Sequence, residues 1–347
     1  MRTSITRRSL LAAAAVPVLK LPKKIRVGVA YMEGHVSEIL NPIRNLPDVE
    51  LVAASDSDAA KLAKLDPAVH RYADYRQMLD KEHLDVVGIG GPNDVRAAII
   101  LACADRKLNV AAEKPLAIER ADLEHIKKAV QHSGIHLTML LPMRFSSPYL
   151  ALKQVADSGV IGEAAQIDGQ KSYKLGERPP WMVKRSSFGG TIPYIAVHMV
   201  DLMRWSSGRE FVEVVSLQAH IGYPEYGQME NTTGSLFRLD NGGVAVLHMD
   251  YMRPQTADTH GDDRLRLAGP QGVVEYQQAT GVTVISSGEK ARTITELPPA
   301  RSLFLDFLDS VYNGKPAGLP LSDIYRVNEI VLAARESAER RTFVKIG

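Results

Sequence analysis

The chain carries a single cysteine, Cys103, in 347 residues, so no internal disulfide can form and the thiol count says little about compartment. Cys103 sits in the apolar helical pattern AAIILACADRKL, where a buried free thiol behaves as a small hydrophobe. The net charge is only +2 and no basic run is interleaved with aromatics, which argues against a nucleic-acid partner. The apolar run from Leu10 to Leu19 is too short for a stable membrane span. No internal repeat occurs, and no low-complexity tract beyond the alanines at 12–15. What remains is an ordinary soluble composition, 45% hydrophobic and 24% charged, in a chain long enough for two domains.

Residues 1–20 form a distinct segment. Arg2, Arg7, Arg8 and Lys20 stand there with no acid, and without them the balance is 38 basic residues against 40 acidic. A basic start followed by a short Ala-rich apolar run has the layout of a signal peptide. Thr6-Arg7-Arg8-Ser9-Leu10-Leu11 resembles a twin-arginine export motif, which implies a periplasmic or extracytoplasmic protein. The alternatives are an uncleaved anchor, because the first strand begins near Lys24, or a basic tail on a cytoplasmic protein.

From Lys24 onward, strand-like and helix-like segments alternate. IRVGVAY, VELVAASD, LDVVGIGG, NVAAEKP and IHLTMLLP read as strands, with HRYA as a possible short one. HVSEILNPIRNL (broken by Pro42), DAAKLAKL, DYRQMLDK, VRAAIILACADRK and ADLEHIKKAVQHSG read as helices, the last closed by Gly134. The alternation predicts an α/β Rossmann domain, a doubly wound parallel sheet, over residues 21–143. Over residues 144–347 strands come to predominate, and Asn241-Gly242 marks a hairpin. The second domain is expected to be α+β with a mostly antiparallel sheet. Ligands of doubly wound sheets bind at the carboxyl ends of the strands. Tyr31 to His35, Asp56, Gly90 to Asn93 and Glu113 to Pro115 fall there.

Five segments in order carry a likeness: LDVVGIGGPND with VAAEKPLAI, MRFSSPYLALKQVADSGVIGE, FGGTIPYIAVHMVDLMRW, DDRLRLAGPQGVVEY, and LFLDFLDSV with AARESAE. On these the chain, from about Lys24 to its end, resembles the Gfo/Idh/MocA (glucose–fructose oxidoreductase/inositol dehydrogenase) family. The resemblance implies a bound nicotinamide dinucleotide, hydride transfer at a sugar or polyol carbon, and a homo-oligomer formed through the C-terminal sheet.

The cofactor loop departs from the pattern. Laid without gaps on the family's G-x-G-x-x-G, Tyr31, Glu33 and Val36 occupy the glycine positions, and only Gly34 stands nearby. Glu33 would repel a pyrophosphate unless it points away. Asp56, ending the second strand, can accept both ribose hydroxyls and would repel a 2′-phosphate, which favours NAD over NADP. Its alternative role is to cap the next helix together with Asp58. The cofactor-binding set is therefore Met32, Glu33, Gly34, His35, Asp56, Ser57, Gly91, Pro92, Asn93, Glu113 and Lys114. Arg96 stands where the family usually has histidine.

For catalysis the resemblance points to Lys114 and His198. The family's aspartate four residues before the histidine is here Tyr194. The expected division of labour is that His198 takes the hydroxyl proton, Lys114 stabilises the oxyanion and Tyr194 orients the substrate. Arg144, Tyr173, Arg178 and Trp181 join Tyr194 and His198 as candidate substrate contacts, with loop packing as the other role for those in YKLGERPPWMVKR. Asp201 either orients His198 or lies on the helix surface. His198, Asp201, His260 and Asp262 make an unspecific metal set, and no metal is expected. Three functions compete: an NAD-dependent oxidoreductase acting on a sugar, polyol or glycoside; an NAD-using glycoside hydrolase working by transient oxidation and elimination; and a sugar-binding protein that has lost its chemistry.

Overall fold

The computed structural model describes residues 19–347, so the twin-arginine-like motif lies outside the described residues. Six strands form the first sheet: β1 (Ile25–Ala30), β2 (Val49–Ser55), β3 (His70–Tyr72), β4 (Val86–Ile89), β5 (Asn109–Ala112) and β6 (Leu137–Met139). Helices α1 (Ser37–Ile43), α2 (Ala59–Leu62), α3 (Tyr75–Lys81), α4 (Asn93–Asp105) and α5 (Arg120–Ser133) alternate with them. The strand order is β3-β2-β1-β4-β5-β6 and every pairing is parallel. β1 and β4 are near-continuous apolar runs because helices cover both faces of such a sheet. The order reverses between β1 and β4, which opens a crevice at their carboxyl ends. α1 runs one residue past Pro42, at the end of the helix, where the missing N–H removes only a last-turn bond. α5 closes at Gly134, whose left-handed backbone donates its N–H to the Val130 carbonyl.

The second sheet is mixed. Its strands are β7 (Gln166–Lys174), β8 (Phe211–Ala219), β9 (Thr232–Leu239), β10 (Val244–Arg253), β11 (Gly261–Gly269), β12 (Gly272–Gln277), β13 (Gly281–Ser286), β14 (Glu289–Thr293) and β15 (Val344–Lys345). They lie in the order β14-β13-β12-β11-β7-β10-β9-β8-β15, antiparallel except where β7 meets β10. The Asn241-Gly242 turn joins β9 to β10, with the Asn241 side chain accepting the Gly243 N–H at 3.0 Å.

One face of this sheet is covered by helices. α6 (Ser147–Asp157) packs on β12 and β13, α8 (Val197–Ser207) on β7 and β11, and α10 (Leu321–Arg340) on β8. The short α7 (Arg185–Phe188) touches α4, and α9 (Leu303–Asn313) packs on α1. The other face leaves Leu217, Leu236, Val244 and Ile285 exposed. α10 also reaches the first domain: the buried Asn328 side chain accepts the Leu116 N–H at 2.9 Å, two residues beyond Lys114. No helix among the described residues is long and apolar enough to cross a membrane.

Candidate active site

The turn after β1 keeps a glycine-like shape without a glycine. Tyr31 has φ +63°, the left-handed region that costs a side-chain-bearing residue about 1–2 kcal/mol. Its N–H is held by the Ser55 carbonyl at 2.7 Å. Gly91, at φ +73° in the turn after β4, makes room for it, since a Cβ there would lie 2.6 Å from the Tyr31 ring. The missing side chain has moved from the first loop to its neighbour.

Asp56 is buried at the end of β2. One oxygen accepts the Met32 N–H at 2.9 Å and the other the Asp58 N–H at 2.8 Å. Asp58, not Asp56, caps α2 through the Ala60 N–H, and Ser57 is exposed. Glu33 carries no free charge, because it pairs with Lys61 and accepts the Trp181 indole N–H at 3.0 Å. Gly34 serves Glu113: at φ +73° it lets the carboxyl carbon come within 2.8 Å of where a Cβ would stand. That carboxylate accepts the His35 N–H at 2.8 Å and meets its Nδ1 at 2.9 Å. Burial alone would raise the Glu113 pKa, but His35, Lys114 and Arg96 outweigh it and hold it down to about 2.

This set fits NAD. Asp56 has spent one acceptor site per oxygen and retains others for ribose hydroxyls. The repulsion expected of Glu33 is answered by Lys61 and Trp181. Lys61, already engaged with Glu33 and 3.7 Å from Asp56, suits a ribose better than a 2′-phosphate.

Arg96 binds the turn after β4 to the loop that carries Lys114. Fully buried, it donates to the carbonyls of Gly91 at 2.9 Å and Pro115 at 2.6 Å and to the Asn93 side chain at 3.0 Å. Asn93 in turn donates to the Phe188 carbonyl at 2.7 Å, so it ties α4 to α7. Pro92 occupies the position just before α4.

Lys114, buried after β5, donates to the Tyr194 backbone carbonyl at 2.9 Å and lies 3.3 Å from the centre of the Tyr194 ring. Glu113 is 3.7 Å from the same amine. Burial pulls the Lys114 pKa down to about 7; Arg96, Lys171 and Arg178 push the same way and Glu113 opposes them. Tyr194 sits in a π-helical turn, Ile192–Ala196, that leads into α8, a distortion frequent at functional sites. Burial and then Glu113 push its phenol up to about 12, so it stays protonated. His198, one residue into α8, is buried with its ring edge-on to His35 at 5.2 Å. Its Nδ1 has no partner, and burial together with Lys114 holds its pKa well below the usual imidazole range.

Other expected contacts are placed differently. Arg144 is withdrawn from any substrate: it is buried, forks onto Asp201 and donates to Asp323 at 2.8 Å. Asp201 therefore neither orients His198 nor lies on the surface. Trp181 gives its N–H to the cofactor loop, leaving only its ring, 6.0 Å from that of Tyr194, toward the site. Arg178 lies over the Tyr251 ring at 4.6 Å and donates to the Lys174 carbonyl. Tyr173 stacks on His260 at 5.2 Å. Among the described residues no group of three or more His, Cys, Asp or Glu side chains is arranged to hold a metal ion.

Lys171 and Asp263 were missed. Their signal was parity: Lys171 shares the inward positions of Ile167 and Gly169, and Asp263 those of Leu265 and Leu267. A charge on the buried side of a strand is the observation that picks them out.

Residues 25–140 match an oxidoreductase-family domain described as an NAD-binding Rossmann fold, and residues 149–275 match the GFO/IDH/MocA C-terminal domain. The chain is 27% identical over 307 residues to inositol 2-dehydrogenase of Salmonella typhimurium, covering 83% of this chain and 85% of that one. A solved oxidoreductase structure from Thermotoga maritima superposes with a TM-score of 0.87 at 30% identity, over 93% of this chain and 100% of that one. A levoglucosan dehydrogenase in complex with NADH shares the fold, with a TM-score of 0.78 at 18% identity over 94% of this chain and 100% of that one.

Proposed function

The chain belongs to the Gfo/Idh/MocA family of oxidoreductases, and on that footing we propose that it transfers a hydride between NAD and a hydroxyl-bearing carbon of a sugar or polyol. The bound nicotinamide supplies the hydride chemistry. Asp56 would hold its ribose hydroxyls, and the Tyr31–His35 and Gly91–Asn93 turns would flank it.

The chain's own residues handle the proton. The single observation that carries the reading is the burial together of Lys114 and His198, joined through Glu113 and His35. A neutral Lys114 amine accepts the substrate's hydroxyl proton, because its pKa lies near 7. His198 stays uncharged and hydrogen-bonds the same hydroxyl. This reverses the roles expected from the sequence, where the histidine was the base, because a buried imidazole beside Lys114 resists a second charge. Tyr194 closes one side of the amine with its ring, and Arg96 keeps the lysine loop in register with the cofactor turn. The inositol and levoglucosan dehydrogenases among the similar proteins support a polyol or sugar substrate.

Lys114→Met tests the assignment. Assayed for NADH formation across a panel of sugars and polyols, the variant should lose turnover while circular dichroism and melting stay as in the parent. Unchanged turnover would overturn the role given to Lys114.

A further inference from the structure

Glu113 is the acid beside the Lys114 amine, yet the two do not close on each other. Oε1 of Glu113 stands 3.7 Å from Nζ, an ion-pair separation too long for a hydrogen bond. The amine donates instead to the Tyr194 carbonyl at 2.9 Å. Both side chains are buried. A carboxylate and an ammonium so placed ordinarily draw together to about 2.8 Å.

His35 is what holds the carboxylate. Its Nδ1 lies 2.9 Å from Oε1 and 3.0 Å from Oε2, and its backbone N–H reaches Oε2 at 2.8 Å. Arg96, the other buried cation of this region, spends its donors on Gly91, Pro115 and Asn93. The two holds of His35 are separable. The backbone bond survives a change of side chain and grips Oε2. Only the ring engages Oε1, the oxygen that faces Lys114. Without the ring, the carboxylate is free to pivot about Oε2 toward the amine. The ring itself is 36% exposed, so removing it takes little from the core.

We infer that His35 is a positioning residue for Lys114: by gripping Glu113 it keeps an anion beside the amine but short of a bonded ion pair. The inference rests on the proton-acceptor role proposed for Lys114 and says how that lysine stays a base next to an acid. The amine is faced by Glu113 on its own loop and by Arg96 of α4. Lys171 of β7, Arg178 of the loop after β7, and Tyr194 and His198 at the start of α8 complete its surroundings. Glu113 is the one among these that raises its proton affinity. Shortening that pair from 3.7 Å to about 2.8 Å, at an effective dielectric of about 20, raises the lysine's ionisation by about one pH unit.

Competitive acetylation of the full chain over a pH series tests this. Acetic anhydride is the probe, and peptide mass spectrometry reads Lys114, so the amine's ionisation is followed without calling on catalysis. His35→Leu should move it up by about one pH unit. Glu113→Gln should move it down, and the double variant should match Glu113→Gln, since no carboxylate is left to release. His35→Asn, with an amide N–H in place of Nδ1, should titrate near the parent. Lys114 unmoved in His35→Leu, an upward shift that persists between Glu113→Gln and the double variant, or His35→Asn titrating with His35→Leu overturns the inference. NADH formation from the sugar and polyol panel is scored separately. The expected shifts without NADH from any substrate uphold the tether and remove the oxidoreductase reading. NADH from the parent, with Lys114 unmoved in His35→Leu, removes only the tether.

Discussion

Burial brings the Lys114 pKa down to about 7, which would let the amine serve as the proposed base and gives its effect on rate a definite sign. Alcohol oxidation needs the free amine, whose pKa is about 7. The kcat/KM for oxidation should therefore rise with pH and level off above about 7, falling about tenfold per unit below it. Reduction needs the ammonium and should decline above the same point. Lys114→Arg, charged at every accessible pH, should lose this limb together with activity. A pH–rate profile in both directions checks the assignment, and a single ionisation near the ordinary lysine value would contradict it. The place of Lys114 at the carboxyl end of a strand was legible from its motif; its surroundings were not. The Tyr194 carbonyl, the Tyr194 ring and Arg96 come from three separate segments, and one sequence does not show which side chains packing brings together. Tyr194 itself read as a substrate-orienting hydroxyl, yet it meets the lysine with its carbonyl and its ring.

Among the elements, the two turns after β1 and β4 behave as one part. Gly91→Ala would put a methyl into the Tyr31 ring and a side chain at a positive φ. It should destabilise the protein by about 1–3 kcal/mol and weaken NADH binding. Tyr31→Gly combined with Gly91→Ala should recover the steric share, since the Tyr31 Cβ crowds position 91 as closely as the ring does, and leave the Gly91 backbone share. Urea unfolding and NADH fluorescence titration on the parent, both singles and the double separate the two. The order of strands and helices was legible because apolar runs and helical periodicity are local. The shape of the first turn was not, since a left-handed tyrosine runs against its own propensity and is sustained by a glycine sixty residues away in the chain. Parity along β7 and β11 did hold the clue to Lys171 and Asp263, but it becomes readable only once the strand limits and the covered face are known.

Across the whole molecule, Arg144 joins the loop after β6 to α8 through Asp201 and to α10 through Asp323, while Arg204 reaches the same Asp323. Arg144→Met would strand the buried Asp201 charge and should cost about 3–5 kcal/mol, with Arg144→Met/Asp201→Leu recovering much of it. Denaturant midpoints of the single and double variants measure this, and an undiminished midpoint in the single would show that the network is not structural. A second link between the domains has a different consequence. The Glu33–Trp181 bond runs from the cofactor turn to the loop that follows β7. The turn proposed to flank the dinucleotide and the loop that carries Trp181 thus share one bond. Displacing either segment would break that one indole N–H bond.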